Sequence, residues 1–232
     1  MKNLRATKGP FRERPYYSTQ EVERICEDAL RGVDLYPSTP QPVRIDRLIE
    51  KHFKVTPTYE DLGNGLLGLT RFGPKGVQAV IVARALDEEG SVAADRRIRT
   101  TLAHEAGHGL LHAHLFALGR DEGSLFGDFT DPNAPKVLCR DEANPSGENT
   151  RAYSWWEYQA NLAIGALLLP RSLVQTALDP ILSESGMLQT KTLDASSHEA
   201  AAKLLADIFD VNPAVARIRL QDMYPQNSQL HL

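Results

Sequence analysis

The sequence predicts an α+β fold in which a small antiparallel sheet precedes a long helix and further C-terminal helices. Between residues 55 and 84, short runs rich in Val, Leu and Ile are interrupted by Gly63-Asn64-Gly65 and by Gly73-Pro74-Lys75-Gly76, which is typical of strands joined by tight turns. Elsewhere, apolar residues recur at the spacing that places them on one face of a helix. The 232 residues are enough to bury a core, and the two cysteines do not form a disulfide framework.

The N-terminal part is predicted to be a flexible basic tail over residues 1–17, followed by a helix. The basic residues of the tail are Lys2, Arg5, Lys8, Arg12 and Arg14. Ser18 and Glu21 have the spacing of a capping box, which predicts a helix that begins there and ends at Gly32. A second helix carries four apolar residues on one face, namely Ile45, Leu48, Ile49 and Phe53.

Most of the remaining chain is predicted to be helical, apart from one insertion. A helix spans about residues 93–118, with an apolar side formed by Ile98, Leu102, Ala106 and Leu110. Residues 119–151 are rich in Gly, Asp, Pro and Asn and are predicted to be a long inserted loop. Further helices are expected at about residues 155–169, 199–209 and 214–223. We therefore expect one domain over residues 18–195 and a C-terminal helical segment over residues 196–232, packed on it or appended to it.

Composition and charge argue against nucleic-acid binding, a membrane span and secretion. The formal net charge of -4 and the pI near 6.0 give no overall case for binding nucleic acid. The longest apolar run, residues 162–169, is far shorter than the roughly 20 residues that a membrane-spanning helix requires. No apolar stretch of a secretory signal follows the basic N-terminus. We expect a cytoplasmic protein that binds no membrane and does not bind nucleic acid directly.

The central motif is His104-Glu105-Ala106-Gly107-His108. Two histidines four residues apart on a helix project from the same face, so both imidazoles can reach one metal ion. The glutamate between them points about a quarter turn away, where it can take a proton from a water molecule without being a ligand. The motif predicts a Zn²⁺ site with both histidines as ligands and Glu105 as the catalytic base. Gly107 and Gly109 each destabilise a helix by about 1 kcal/mol relative to alanine, and close approach of another backbone would explain them.

A catalytic zinc requires a third protein ligand, for which three residues compete. His112 lies roughly 12 Å along a straight helix from the first histidine, which is too far to share an ion. His114 has the position of the third histidine in the metzincin pattern, but Leu111 replaces the glycine that this pattern requires. Glu157, on the next long helix, completes a known set of two histidines and one glutamate and is favoured. Asn161, one turn after it, could orient a ligand imidazole.

Residues 99–108 (Arg-Thr-Thr-Leu-Ala-His-Glu-Ala-Gly-His), followed by Glu157-Tyr158-Gln159-Ala160-Asn161 and Leu167-Leu168-Leu169-Pro170, resemble the ImmA/IrrE family of metallopeptidases. The resemblance implies that His104, His108 and Glu157 bind zinc and that Glu105 is the general base. It also implies a zincin-like fold in which a peptide lies along the edge of the sheet. Members of this family cleave helix-turn-helix repressors and so switch on phage, mobile-element or stress-response genes. The implied partner is therefore a protein substrate of that kind.

The insertion between the two ligand helices departs from the compact pattern of the family. It contains Cys139, and one hypothesis is that its thiolate occupies the open zinc position as a latch. A buried structural cysteine is the more ordinary role. The residue that stabilises the oxyanion is not identified from the sequence, and the candidates are Tyr153, Tyr158 and His112.

Other functions stay open at the level of sequence. The main alternative is a non-catalytic, zinc-containing regulator that binds a repressor or DNA, motivated by the basic tail and by the pair of helices over residues 199–223. A secreted, metzincin-like protease that uses His114 is disfavoured by the missing glycine and the missing signal. An aminopeptidase with the same ligands has no residue pattern for a free amine. Manganese or another divalent ion could take the place of zinc.

Overall fold

The computed structural model describes residues 2–5, 13–63, 65–73, 75–118, 136–140, 155–185 and 190–225, and it confirms the α+β class. The strands are β1 (Lys2–Arg5), β2 (Glu13–Tyr16), β3 (Thr58–Glu60), β4 (Leu66–Gly73), β5 (Gly76–Ala83), β6 (Lys136–Arg140), β7 (Ser183–Ser185) and β8 (Thr190–Thr192). The helices are α1 (Thr19–Arg31), α2 (Ile45–Leu48, continued by a π-helical turn over Ile49–Phe53), α3 (Arg84–Glu89), α4 (Val92–Leu118), α5 (Trp155–Leu168), α6 (Arg171–Leu178), α7 (His198–Phe209) and α8 (Pro213–Met223).

Helix α1 begins where its capping box predicts. The backbone N–H of Ser18 donates to the carboxylate of Glu21 over 2.9 Å, and the N–H of Glu21 donates to the Ser18 hydroxyl over 3.3 Å. One face of the helix is buried, with Val22, Cys26 and Leu30 inaccessible to solvent. Burial raises the pKa of the Cys26 thiol to about 12, so this cysteine is an inert part of the core.

The N-terminal segment differs from the flexible tail that its basic composition predicted. Strands β1 and β2 pair in antiparallel fashion, with Leu4 opposite Arg14. Pro15 is buried, and its carbonyl accepts a hydrogen bond of 2.8 Å from the side-chain amide of Gln159 on α5. A buried amide requires a partner. Gln159 is 144 residues from Pro15 in the sequence. The composition of the N-terminal segment therefore could not indicate this contact.

The central sheet is mixed, whereas the sequence predicted an antiparallel one. Its strand order is β3-β5-β4-β6. Strands β4 and β5 form the predicted hairpin, and Gly76 at its turn has a φ of 110°, which favours glycine. Strand β6 pairs with the edge of β4 that faces away from β5. Strand β3 pairs with the other edge of β5, and these two strands are parallel. The hydrophobic pattern indicates where strands lie, but it does not indicate which edge each strand takes.

Strand β6 lies inside the segment that was predicted to be an inserted loop. In its pairing with β4, Val137 is opposite Thr70 and Cys139 is opposite Gly68. The strand therefore runs beside the part of β4 that faces α4. Residues 119–135 and 141–151 of the predicted loop lie outside the described part of the chain.

The helices share one hydrophobic core, so the C-terminal helices are packed on the rest of the domain. Buried residues from α1, α2, α4, α5, α7 and α8 belong to a single cluster that includes Leu30, Leu48, Leu111, Leu167, Phe209 and Leu220. Arg96 and Arg99 of α4 pair with Asp210 at the end of α7, over 3.0 and 2.9 Å. These contacts hold the C-terminal helices against the long helix that carries the histidine motif.

Among the described residues, no single helix is both long enough and apolar enough to cross a membrane. The consecutive segments Trp155–Leu168 and Arg171–Ile181 meet the length and composition criteria only as a pair, and they are bent by 51° relative to each other. Much of the first segment is core, since Ala160, Ala163 and Leu167 are inaccessible to solvent.

A network of ion pairs ties α1 to α6 and α8. Glu23 accepts hydrogen bonds from Arg171 over 2.7 Å and from Arg219 over 2.8 Å. Arg219 is only 2% exposed, and it also donates to the carbonyl of Leu169 over 3.0 Å. Removing one partner of a buried pair leaves the other charge without compensation, so loss of the Glu23 carboxylate alone should be strongly destabilising.

We predict that Glu23→Gln lowers the free energy of unfolding by about 3–5 kcal/mol, because the Arg219 charge would stay in the interior without its carboxylate. The matched change Glu199→Gln removes the exposed pair with Arg217 and should leave stability unchanged. Urea denaturation followed by circular dichroism measures both variants. Equal losses in the two would contradict this assignment.

Candidate metal centre

Helices α4 and α5 bring together the three residues that the sequence predicted as metal ligands. His104 and His108 lie one turn apart on α4, with their Nε2 atoms 3.0 Å from each other. Glu157, in the first turn of α5, places Oε2 3.1 Å from Nε2 of His104 and Oε1 3.7 Å from Nε2 of His108. These three residues form a group that could hold a metal ion.

The donor set fits a divalent cation. Three atoms with lone pairs converge in a site where both histidines are buried and the Glu157 side chain is 28% exposed, so a positive charge between them relieves their repulsion. In a tetrahedral site with metal–nitrogen bonds of about 2.0–2.1 Å, two imidazole nitrogens are about 3.3 Å apart. The observed separation of 3.0 Å is close to that value.

The three side chains shift one another's pKa values, and the shifts favour the metal-binding form at Glu157 and His108 but not at His104. Burial raises the pKa of Glu157, but its contacts with the two histidines outweigh this effect and lower the pKa to about 2. Burial lowers the pKa of His108 to about 4. Burial also opposes protonation of His104, but its bond to Glu157 and the nearby carboxylates raise its pKa overall. At neutral pH the group therefore offers a carboxylate and a neutral His108, and a metal would compete with a proton at His104.

Asn161 occupies the place predicted for it, one turn after Glu157. Its side-chain oxygen lies 3.0 Å from Nδ1 of His104 and accepts the N–H of that nitrogen. The other ring nitrogen, Nε2, is thereby directed toward His108 and Glu157. This contact supplies the orientation expected of a residue that holds a ligand imidazole in place.

Glu105 is fully buried between α4 and β4. The hydroxyl of Thr70 donates to its Oε2 over 2.5 Å, and its Oε1 has no hydrogen-bond partner within the described chain. A β-carbon at Gly68 would lie only 3.0 Å from Oε1, so the glycine leaves room for the carboxylate. Burial raises the pKa of Glu105 to about 8, although His104 and the Thr70 hydrogen bond oppose the increase. A carboxylate with one held oxygen and one free oxygen can accept a proton.

Close packing explains the two glycines of α4. A β-carbon at Gly107 would lie 2.8 Å from Cβ of Ala163 and 3.2 Å from the carbonyl oxygen of Ala160, both on α5. The predicted approach of another backbone is therefore confirmed at this position. At Gly109 the neighbour is a side chain instead, because a β-carbon there would lie 2.5 Å from the ring of Phe53.

The other candidate residues take different places. The Nδ1 atom of His112 contacts Nδ1 of His108, on the side of that ring opposite the Nε2 that faces Glu157, so His112 is not a third ligand. His114 is half-buried and does not belong to the group that could hold a metal. Tyr158 is 48% exposed. Tyr153 and the side chain of Cys139 lie outside the described residues, so the oxyanion role and the latch stay predictions.

Two buried polar residues of the site were missed by sequence analysis. Thr70 shares one face of β4 with Gly68. The available signal was this small residue and this polar residue between Leu66 and Phe72 on the same face. Gln159 lies within the segment that carries Glu157 and Asn161, but its role depends on contacts from other parts of the chain.

Comparison with protein-family models gives no match for this chain, and comparison with curated proteins gives none either. The resemblance to the ImmA/IrrE family therefore rests on the motifs alone. What the chain does must be inferred from the geometry of the site.

We predict that Gly107→Ala weakens binding of Zn²⁺, because the added methyl group would push α5, and Glu157 with it, away from the two histidines. Overpacking should also lower the free energy of unfolding by about 1–3 kcal/mol, despite the gain of about 1 kcal/mol in helix propensity. Calorimetric titration and urea denaturation measure the two effects. Gly63→Ala is the control, because no atom lies within 4 Å of a β-carbon at that exposed position. An unchanged zinc affinity in Gly107→Ala would contradict the role given to the helix spacing.

Proposed function

We propose that this chain is a zinc-dependent endopeptidase that cleaves a helix-turn-helix transcriptional repressor. The observation that supports hydrolysis most directly is the convergence of His104, His108 and Glu157 beside a buried glutamate that is not one of them. A structural zinc site is usually closed by four protein ligands, whereas a catalytic site has three and keeps one position open. Within the described residues the site has three ligands and an adjacent base, which is the set that hydrolysis requires.

Zinc is the metal that this donor set suits best. Two imidazoles and one carboxylate are nitrogen and oxygen ligands of intermediate softness, which zinc binds in catalytic sites, whereas calcium and magnesium prefer oxygen ligands alone. When bound, zinc lowers the pKa of water to about 7 and polarises a carbonyl group. His104, His108 and Glu157 would hold the ion, and Asn161 orients the first of these ligands.

Glu105 supplies the base in this proposal. Thr70 holds Oε2 of the carboxylate, so the oxygen without a partner, Oε1, is the one that takes a proton from the attacking water. The same carboxyl group then delivers that proton to the leaving amine. Burial favours this exchange, because it raises the pKa of Glu105 to about 8, close to the pH at which a general acid and base operates.

The sheet edge beside the site bears on how a substrate binds. An extended peptide commonly adds as a strand to an exposed edge. Both edges of β4 are paired, one with β5 and the other with β6, and β6 is the outermost strand on that side of the sheet. A substrate strand would therefore pair with β6 or take its place on β4. The choice of a repressor as substrate rests on the resemblance to the ImmA/IrrE family and on no contact within this chain.

The alternative, a non-catalytic zinc-containing regulator, was motivated by the N-terminal segment and the C-terminal helix pair. In the structure, β1 and β2 pair with each other and α7 and α8 contribute to the core. Neither feature favours binding of DNA or of a repressor over catalysis. Absence of cleavage by the zinc-loaded wild type would favour the regulator.

We predict that the wild-type protein binds about one zinc ion per chain and that Glu157→Gln weakens zinc affinity by more than about 100-fold, since loss of an outer partner alone costs 10–100-fold. His114→Gln is the matched control and should bind zinc as the wild type does, because His114 is outside the ligand group. Mass spectrometry of bound metal after dialysis gives the content, and a competing chromophoric chelator gives the affinity. Retention of tight binding by Glu157→Gln, with loss in His114→Gln, would support the metzincin-like arrangement instead.

We predict that Glu105→Gln retains zinc but cleaves at least about 100-fold more slowly, because the amide cannot accept the proton. The wild type, this variant and the exposed control Glu88→Gln should each be incubated with helix-turn-helix repressors encoded beside the gene and with a peptide library, with and without chelator. Mass analysis of the fragments gives rates and cleavage sites. Cleavage of the library alone would support the peptidase and reject the repressor. No cleavage by the zinc-loaded wild type would support the regulator.

A further inference from the structure

A chain of buried hydrogen bonds leads away from His108 on the side opposite Glu157. The Nδ1 atom of His108 lies 3.0 Å from Nδ1 of His112, and Nε2 of His112 lies 3.0 Å from Oε1 of Gln159. The amide nitrogen of Gln159 donates to the carbonyl oxygen of Pro15 over 2.8 Å. All four residues are buried, so water does not compete for these bonds.

The Pro15 carbonyl determines the direction of the chain. A carbonyl oxygen can only accept, so the NH₂ group of Gln159 must face Pro15. The amide oxygen of Gln159 must then face His112, because the two ends of an amide group differ. An amide oxygen also only accepts. The proton of the neutral His112 ring is therefore on Nε2.

The same reasoning continues to His108. His112 is inaccessible to solvent, and within the described residues its two ring nitrogens contact only His108 and Gln159, so no carboxylate stabilises a charged ring and the ring is neutral. With its proton on Nε2, the ring has a lone pair on Nδ1, which must accept from Nδ1–H of His108. The lone pair of His108 is consequently on Nε2, the atom that faces His104 and Glu157.

We propose that His112 and Gln159 are positioning residues that, together with the Pro15 carbonyl, fix the tautomer and ring orientation of His108 so that its Nε2 is ready to bind a metal. The inference rests on the metal site of the proposed function and not on peptide hydrolysis. It assigns a role in metal binding to the N-terminal segment, which the sequence predicted to be a mobile tail.

His104 is held in a separate way. Its Nδ1 faces Asn161, and that contact involves neither His112 nor Gln159. Each ligand imidazole thus has its own outer partner. Changes at His112 or Gln159 should therefore alter the tautomer of His108 and leave that of His104 as it is, which separates positioning from a general loss of structure.

The test uses the full chain in four variants and two measurements. His112→Leu removes both ring nitrogens, and Gln159→Met removes the amide while nearly keeping its length. His112→Asn returns an acceptor to the position of Nδ1, two bonds from Cβ, and is the conservative rescue. His114→Leu is the control on the same helix. Long-range ¹H–¹⁵N spectra of the metal-free protein identify which ring nitrogen of each histidine carries the proton, and chelator competition gives the zinc dissociation constant.

In the metal-free wild type, we expect the proton on Nδ1 of His108 and on Nε2 of His112. His112→Leu should raise the zinc dissociation constant about 10–100-fold and Gln159→Met about 10-fold, as for other partners of ligand histidines. In both, His108 should become a mixture of tautomers. His112→Asn should recover most of the affinity and the single tautomer, and His114→Leu should match the wild type.

The proposal is overturned if the metal-free wild type carries the His108 proton on Nε2. It is also overturned if folded His112→Leu or Gln159→Met binds zinc as the wild type does with the His108 signals unchanged. Should His112→Leu fail to fold, Gln159→Met and the wild-type spectrum decide the question. Because neither readout depends on cleavage, the positioning role can hold even if Glu105→Gln shows that the protein is not a peptidase.

Discussion

Burial of two imidazoles and the Glu105 carboxylate between α4, α5 and β4, next to the partly exposed Glu157, is the constraint around which the other polar side chains are arranged. Such groups are costly in an interior unless each donor and acceptor finds a partner. Asn161 is the hydrogen-bond partner of His104, Thr70 is that of Glu105, and His112 is that of His108. These partners leave Oε1 of Glu105, the Nε2 atoms of His104 and His108, and the Glu157 carboxylate for other interactions. The proposed chemistry uses these atoms.

The sequence predicted the parts of the fold that depend on local pattern. The capping box of α1, the long helix with the histidine motif and the helix that carries Glu157 lie close to their expected bounds, because helical periodicity and cap chemistry are local properties. The three ligand candidates were found because their spacing and chemistry are specific. Strand β6 and the parallel pairing of β3 were not predicted, since a strand's neighbour is determined by contacts that are distant in sequence.

The same distinction explains which site residues were missed. Gln159 lies within the segment that carries Glu157 and Asn161, but nothing local in the sequence shows that its amide joins His112 to Pro15. His112 was considered as a ligand and rejected on distance, and the structure agrees with that rejection while giving both of its nitrogens partners. The basic character of the first residues suggested a solvated tail, although one buried carbonyl is enough to connect this segment to α5.

The contact at Gly107 has a consequence for the choice of ion. Since the two histidines belong to one helix and the carboxylate to another, the distance between the helix axes limits the ionic radius that all three ligands can reach at once. Oxygen ligands of calcium lie about 2.3–2.6 Å from the ion, against about 2.0–2.2 Å for zinc. A glycine that binds nothing can thereby contribute to selectivity against larger cations.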